Sequence, residues 1–231
     1  MKGILFDLDG TLIDSTEAIL ESFHRSFDFY GHSHPVDDAI KALIGHPLDV
    51  MYRELGVDEE QVWNFVSTYK EHYREISKQK TLMLPDAFDA IKLASEQARL
   101  GIVTTKTGRY SKELLEHFGV MHYFEVLIGR EDVQRPKPHP EPIFKAMARM
   151  NAKTDTVWMI GDTRLDIAAA NAAGVKSVGV LSGYDNEEQL LTLCDFVEKN
   201  ALNAVQFIFQ SVAKRDVCPG FLNNATPESL I

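Results

Sequence analysis

Apolar positions along this chain change period at two points. Ile4, Leu5, Phe6 and Leu8 form a short run of strand formers that stops at Gly10. From position 14 the period becomes helical. Ile19, Leu20, Phe23 and Phe27 recur on one face, with Ser15 or Thr16 as the N-cap. Gly31 and the polar run to Pro35 break that helix. A second helix carries Ala39, Ile40, Leu43 and Ile44 and stops at Gly45-His46-Pro47; a third spans 47–55, with proline at a helix-entry position. The longest runs from 58 to about 78, with Val62, Val66, Tyr69, Tyr73 and Ile76 along one face. No strand signal falls between 14 and 82, so this block reads as a small helical bundle inserted after the first strand.

From Pro85 onward strand and helix patterns alternate, as βαβ units of a parallel sheet require. Helices are expected at 85–98, 111–118, 140–150 and 165–173, with weaker patterns at 187–193 and 202–212. Strands are expected at 100–105, 124–128, 156–160 and 177–181. The fold class is therefore α/β: a Rossmann-like parallel sheet with helices on both faces and an inserted α-helical unit. The expected organisation is a core of 1–14 and 82–212, an insert of 15–81, and a C-terminal tail of 213–231 rich in turn formers.

Composition excludes several function classes. Hydrophobic residues at 45% and charged residues at 25% are ordinary for a globular chain of 231 residues. A formal net charge of −10 argues against a nucleic-acid partner, whose backbone demands basic patches, but not against a small phosphorylated metabolite. The first apolar run is too short for a signal peptide or a membrane span, so no membrane partner and a cytoplasmic location are expected. Cys194 and Cys218 lack metal-ligand or redox-pair spacing. Whether the protein is a monomer or a homodimer is left open by the sequence.

Four stretches carry chemistry. Asp7 and Asp9 stand at the end of the first strand, where a parallel sheet delivers residues to a ligand crevice. In an ideal strand both would share a face and repel, and oxygen-only ligands of this kind suit Mg²⁺. Thr104 closes a second strand and can offer its hydroxyl to a phosphate oxygen. Lys137 lies among three prolines in Arg135-Pro-Lys-Pro-His-Pro140, a stiff loop that would aim one ammonium. Asp162 and Asp166 sit four apart where a strand enters a helix, so both can face the crevice, or can cap that helix.

Asp7-Leu-Asp-Gly-Thr11, with Gly161-Asp162 through Asp166, resembles the haloacid dehalogenase (HAD) superfamily of phosphotransferases. The resemblance spans 3 to about 209, and the insert is similar to the cap of the family's small-cap group. It implies an aspartyl-phosphate mechanism: Asp7 as nucleophile, Asp9 as general acid and then base, and Thr104 and Lys137 holding the phosphoryl oxygens. Mg²⁺ would be held by the Asp7 and Asp162 carboxylates and the Asp9 backbone carbonyl. Asp166 would act through a metal-bound water or by orienting Lys137. Within the family the resemblance is nearest to phosphoglycolate phosphatases, which makes 2-phosphoglycolate the expected substrate. Pyrophosphate, nucleotides or a phosphomutase reaction of the β-phosphoglucomutase type are the alternatives. Gly45 and His46 resemble the Gly-x-Pro turn that such caps place over the site. Those two residues, with hinge residue Thr11 and with Thr105 and Lys106 beyond the second strand, are the expected substrate contacts. Thr105 departs from the asparagine common at that position. Arg109, also beyond that strand, is a further candidate for a substrate carboxylate.

Overall fold

The computed structural model describes residues 2–216. Cys218 and most of the expected tail 213–231 lie outside the described residues; its first residues continue the last helix. The chain opens with β1 (Lys2–Phe6) and β2 (Ile13–Asp14), followed by helices α1 (Thr16–Phe29), α2 (Asp37–Lys41), α3 (Leu48–Glu54) and α4 (Val62–Ile76). It returns through β3 (Leu82–Met83) to α5 (Ala87–Ser95), β4 (Ala98–Val103), α6 (Gly108–His117), β5 (Phe124–Ile128) and α7 (Glu141–Arg149). It then continues through β6 (Val157–Gly161), α8 (Arg164–Ala173), β7 (Lys176–Val180), α9 (Glu187–Leu191), β8 (Val197–Glu198) and α10 (Ala201–Asp216).

Six strands form one sheet in the order β5-β4-β1-β6-β7-β8, every neighbouring pair parallel. Residues alternate between its faces. Ile4, Phe6, Ile102 and Ile160 pack in one buried cluster with residues of α5 and α10. Leu5, Val103 and Met159 pack in another with residues of α7 and α8. A parallel sheet covered on both faces explains why these strands read as continuous apolar runs rather than alternating ones. Strand order reverses between β1 and β6, and there the carboxyl ends open a crevice. The Asp7 amide donates to the Ile160 carbonyl at 2.9 Å, carrying the pairing of β1 with β6 up to that crevice.

Helices α1 to α4 have a core of their own, built largely of rings. Phe23 packs on Tyr52 and Tyr69 with centroids 4.7 and 5.1 Å apart, and Phe27 meets Phe65 at 5.2 Å. The two chain crossings between this unit and the sheet pair with each other. β2 and β3 run antiparallel, Ile13 opposite Met83 and Asp14 opposite Leu82. The stretch between these two strands is helical, as expected, but the ribbon itself was not read from the sequence, since two residues are too few to show alternation. The same brevity hides β8. No helix among the described residues is long and apolar enough to cross a membrane.

Because Phe23 is fully buried at the centre of the helical unit, Phe23→Ala should destabilise that unit by about 3–5 kcal/mol. Of the chain's two tryptophans Trp63 belongs to α4, so in a Trp158→Phe background its fluorescence during urea unfolding reads the helical unit alone. An unchanged midpoint would show that Phe23 is not the keystone of that core.

Candidate active site

Four strand ends deliver the polar residues. Asp7 follows β1, Thr104 follows β4 and Asp162 follows β6; the loop after β5 brings Lys137 inward. Lys137 is 3% exposed, and its ammonium spends its three protons on protein oxygens: Asp7 Oδ1 at 2.8 Å, the Val103 carbonyl at 3.0 Å, and Asp166 Oδ1. Asp166 is also a helix cap. Its Oδ2 accepts from the Thr163 amide at 3.1 Å and the Thr163 hydroxyl at 2.7 Å. Both readings of Asp166 offered by the sequence therefore hold together, because one carboxylate has oxygens enough for a lysine and a helix end.

Asp162 is fully buried and receives neutral donors only, the Thr11 hydroxyl at 2.8 Å and the Tyr184 amide at 3.0 Å. Two glycines let the chain come this close. Gly10 has φ +81°, and a Cβ there or on Gly183 would overlap the Asp162 carboxylate. Carboxylate oxygens of Asp7, Asp162 and Asp166 all lie within 4.8 Å of one another. Three buried carboxylates lie together and one ammonium reaches two of them, so the cluster holds more negative than positive charge. Burial pushes the Asp7 carboxyl up to about 7, with Asp166 adding to the rise and Lys137 opposing it. Burial, then Asp7 and Asp166, raise Asp162 as well. For Lys137, burial opposes the charge but Asp166 and Asp7 outweigh it, holding the ammonium above its ordinary range. Hard oxygen donors with uncompensated charge fit a divalent cation.

After β1 the chain turns back on itself, the Leu12 and Ile13 amides both returning to the Leu8 carbonyl. Asp9, near enough for its charge to help raise the Asp7 carboxyl, accepts from the Ser15 hydroxyl and pairs with Lys106 at 3.1 Å. Lys106 stands 4.5 Å from the ring centre of Tyr73 on α4. Burial works against the Lys106 charge, but Asp9 and Tyr73 outweigh it and hold the ammonium above its ordinary range. The Thr104 hydroxyl accepts from the Lys106 amide at 3.2 Å, which leaves its own proton free to donate.

The other expected contacts sort themselves. Thr105 donates to the Gly45 carbonyl at 2.8 Å, tying sheet to helical unit. Gly45, at φ +106°, lies against Thr163. His46 is half-buried, and burial lowers its pKa. Thr11 is engaged with Asp162, while Arg109 is exposed and pairs with Glu113 at 3.0 Å. Ser15, Tyr184 and Gly183 were not foreseen. Ser15 stands where a helix cap belongs but makes no cap bond, and its hydroxyl turns to Asp9. Ser182 to Asp185 follow β7, and that position alone could have drawn attention to them.

Comparison with known proteins places the chain. The sequence model described as haloacid dehalogenase-like hydrolase matches residues 4–180. Pyrophosphatase PpaX of Halalkalibacterium halodurans is 37% identical over 183 residues, covering 78% of this chain and 83% of that protein. A phosphoglycolate phosphatase of Salmonella typhimurium is 32% identical over 216 residues, covering 82% and 85%. The crystal structure of a haloacid dehalogenase-like hydrolase from Bacteroides fragilis superposes with a TM-score of 0.84 at 29% identity, covering 88% of this chain and 99% of that one.

The raised carboxyls make a signed prediction. An acid whose pKa rises on folding costs nothing below its unfolded value of 3.8 and its full penalty above the folded value of about 7. Metal-free protein should therefore lose stability as pH climbs through that window, and a divalent cation should relieve the loss. Melting curves with MgCl₂ or EDTA check this: the cation-induced rise in Tm should be larger at about pH 8 than at about pH 5. An equal or larger rise at the acid end would remove the carboxylate cluster as the binding site.

Proposed function

The chain belongs to the haloacid dehalogenase-like hydrolase family and is a phosphoric monoester hydrolase, and we propose that it works through an aspartyl-phosphate on Asp7 with Mg²⁺ as cofactor. The observation that carries this reading is the meeting of Asp7, Lys137, Thr104 and Asp162 at the sheet's reversal point, with Asp9 beside it.

Lys137 fixes the Asp7 carboxylate through the 2.8 Å bond, keeping one oxygen aimed while its charge offsets that of the incoming phosphate. An Asp7 oxygen attacks phosphorus, the phosphorus–oxygen bond to the alcohol breaks, and the alcohol oxygen takes the proton carried by Asp9. In the second half Asp9 removes a proton from water, the water oxygen attacks phosphorus, and Asp7 leaves as the free carboxylate with inorganic phosphate. The free proton of Thr104 serves a phosphoryl oxygen throughout. Mg²⁺ would be held by the carboxylates of Asp7 and Asp162 with the Asp9 backbone carbonyl, and when bound it supplies electrostatic relief between anionic nucleophile and anionic ester. Asp166 keeps Lys137 in place and stays out of the reaction itself.

The helices over the site serve as its cap, giving a core of 1–14 and 82–212 with the cap at 15–81. Names carried by relatives support two compact substrates, 2-phosphoglycolate and pyrophosphate. Either would leave through an oxygen that Asp9 can protonate, with Lys106 beside it to receive the second anionic group.

Asp9→Asn should preserve phosphate and metal binding and lower turnover by about 10²–10⁴-fold, the usual loss when general acid–base catalysis goes. Phosphate release from a panel of small esters, with Mg²⁺ and with EDTA, supplies the wild-type reference. Near-normal turnover of the variant would take Asp9 out of the proton-transfer role.

A further inference from the structure

Phosphoryl transfer ends at Asp9, but the space beyond it does not. Asp9, Thr105 and Lys106 form the floor of a cavity of about 260 Å³ that continues under the cap. That volume approaches the ~300–1,000 Å³ of pockets that bury drug-sized ligands. Ile19, Met51, Trp63, Val66, Tyr69 and Tyr73, from α1, α3 and α4, make the apolar and aromatic part of its wall, Tyr110 of α6 borders it from the core side, and the charged side chains of Asp49, Lys70, Arg130 and Glu131 also line it. Glycolate or a second phosphate would sit against Lys106 and leave that wall without contact.

Two features of the wall are unfinished. Trp63 follows the fully buried Val62 on α4 yet is itself 59% exposed, an indole at the cavity margin. The Tyr73 hydroxyl is buried with no hydrogen-bond partner among the described residues, although buried hydroxyls are ordinarily satisfied. Tyr73 already has Tyr69 stacked on it at 5.5 Å and Tyr110 at 6.2 Å, so the region is built of rings.

Resting on the phosphatase reading, we propose that this cavity seats the leaving group of the substrate, and that the leaving group is an alkyl alcohol carrying a planar heteroaromatic ring. The ring meets the aromatic wall in the offset or edge-on geometries that such pairs prefer. A ring heteroatom or substituent accepts the orphan Tyr73 proton, and the ester oxygen reaches Asp9. The bond changes are those already given: the alcohol leaves with the Asp9 proton.

The test is phosphate release, in MgCl₂, from 2-phosphoglycolate, 2-phenylethyl phosphate, pyridoxine 5′-phosphate and a nucleoside 5′-monophosphate. All are alkyl esters, so differences among them report the cavity rather than leaving-group chemistry. One of the two heteroaromatic esters should exceed 2-phosphoglycolate in kcat/KM by at least tenfold, mainly through KM, and their comparison separates the two ring types. Trp63→Ala should lower kcat/KM for that ester at least threefold more than for 2-phosphoglycolate. Tyr73→Phe should shrink its advantage over 2-phenylethyl phosphate. If 2-phosphoglycolate outruns every ring ester and Trp63→Ala affects all esters alike, the cavity proposal falls while the phosphatase stands. If no ester releases phosphate from folded protein, both fall together.

Discussion

Three carboxylates buried around one ammonium form the arrangement on which the rest of the structure depends. Moving such charges out of water costs several kcal/mol per ion, and the cost is met only where every oxygen and proton finds a partner. Here the accounting is nearly complete. Lys137 satisfies Asp7, Asp166 and the Val103 carbonyl; Thr163 satisfies the rest of Asp166; Thr11 and Tyr184 satisfy Asp162. Those partners come from five separate stretches of chain, and only the reversal of strand order between β1 and β6 brings them together. What the partners do not cancel is the excess negative charge. A site so arranged is fixed before any substrate enters, which is the condition for electrostatic catalysis.

The helical unit is tied to that arrangement at its root. Ser15, one residue before α1, donates to Asp9, and Thr16, the first residue of α1, shares a 3.0 Å bond with the Tyr184 hydroxyl. Tyr184 in turn gives its amide to Asp162. The short ribbon of β2 and β3 thus lies one or two residues from contacts to both Asp9 and the acidic cluster. Further out, Thr105 reaches the Gly45 carbonyl and Lys106 lies over Tyr73.

Much of this was legible because it is written in local pattern. The apolar run 4–8, the helical spacing of Ile19, Phe23 and Phe27, and the strand-helix alternation after 85 each reflect burial on a defined face, and faces repeat with a period. Chemistry-bearing residues were legible for a different reason: strand ends of a parallel sheet converge, so Asp7, Thr104 and Asp162 could be placed beside one another before any coordinates. Two-residue strands were invisible, since β2, β3 and β8 are shorter than one full alternation. Partners were also invisible. An ideal strand puts Asp7 and Asp9 on one face, but that spacing does not show that Asp9 meets Lys106 and Ser15 while Asp7 meets Lys137. Nor could spacing show that the Thr11 hydroxyl is spent on Asp162 or that Ser15 abandons its helix, because both depend on partners distant in space rather than in sequence.

The polar cluster and the ring-lined cavity belong to different parts of the fold, and that division governs how far similarity can be read. The polar floor belongs to the sheet, where a shift of one residue would break a network with no spare partners. The wall belongs to α1, α3 and α4, which pack on one another through their own ring-rich core and meet the sheet at few points. Substitution of a wall residue such as Trp63, more than half exposed, costs the fold little, whereas substitution at Asp162 exposes a buried charge imbalance. The floor is therefore constrained by the buried polar network, and most of the wall by the helical core to which Ile19, Met51, Val66, Tyr69 and Tyr73 also belong, which leaves Trp63 the freest of the wall residues to vary. Relatives at 32% and 37% identity carry names for two different reactions. What a chain of this build hydrolyses has to be read from the residues around that cavity, and here they are tyrosines, a tryptophan and aliphatic side chains together with Lys70, Lys106, Arg130, Asp49 and Glu131.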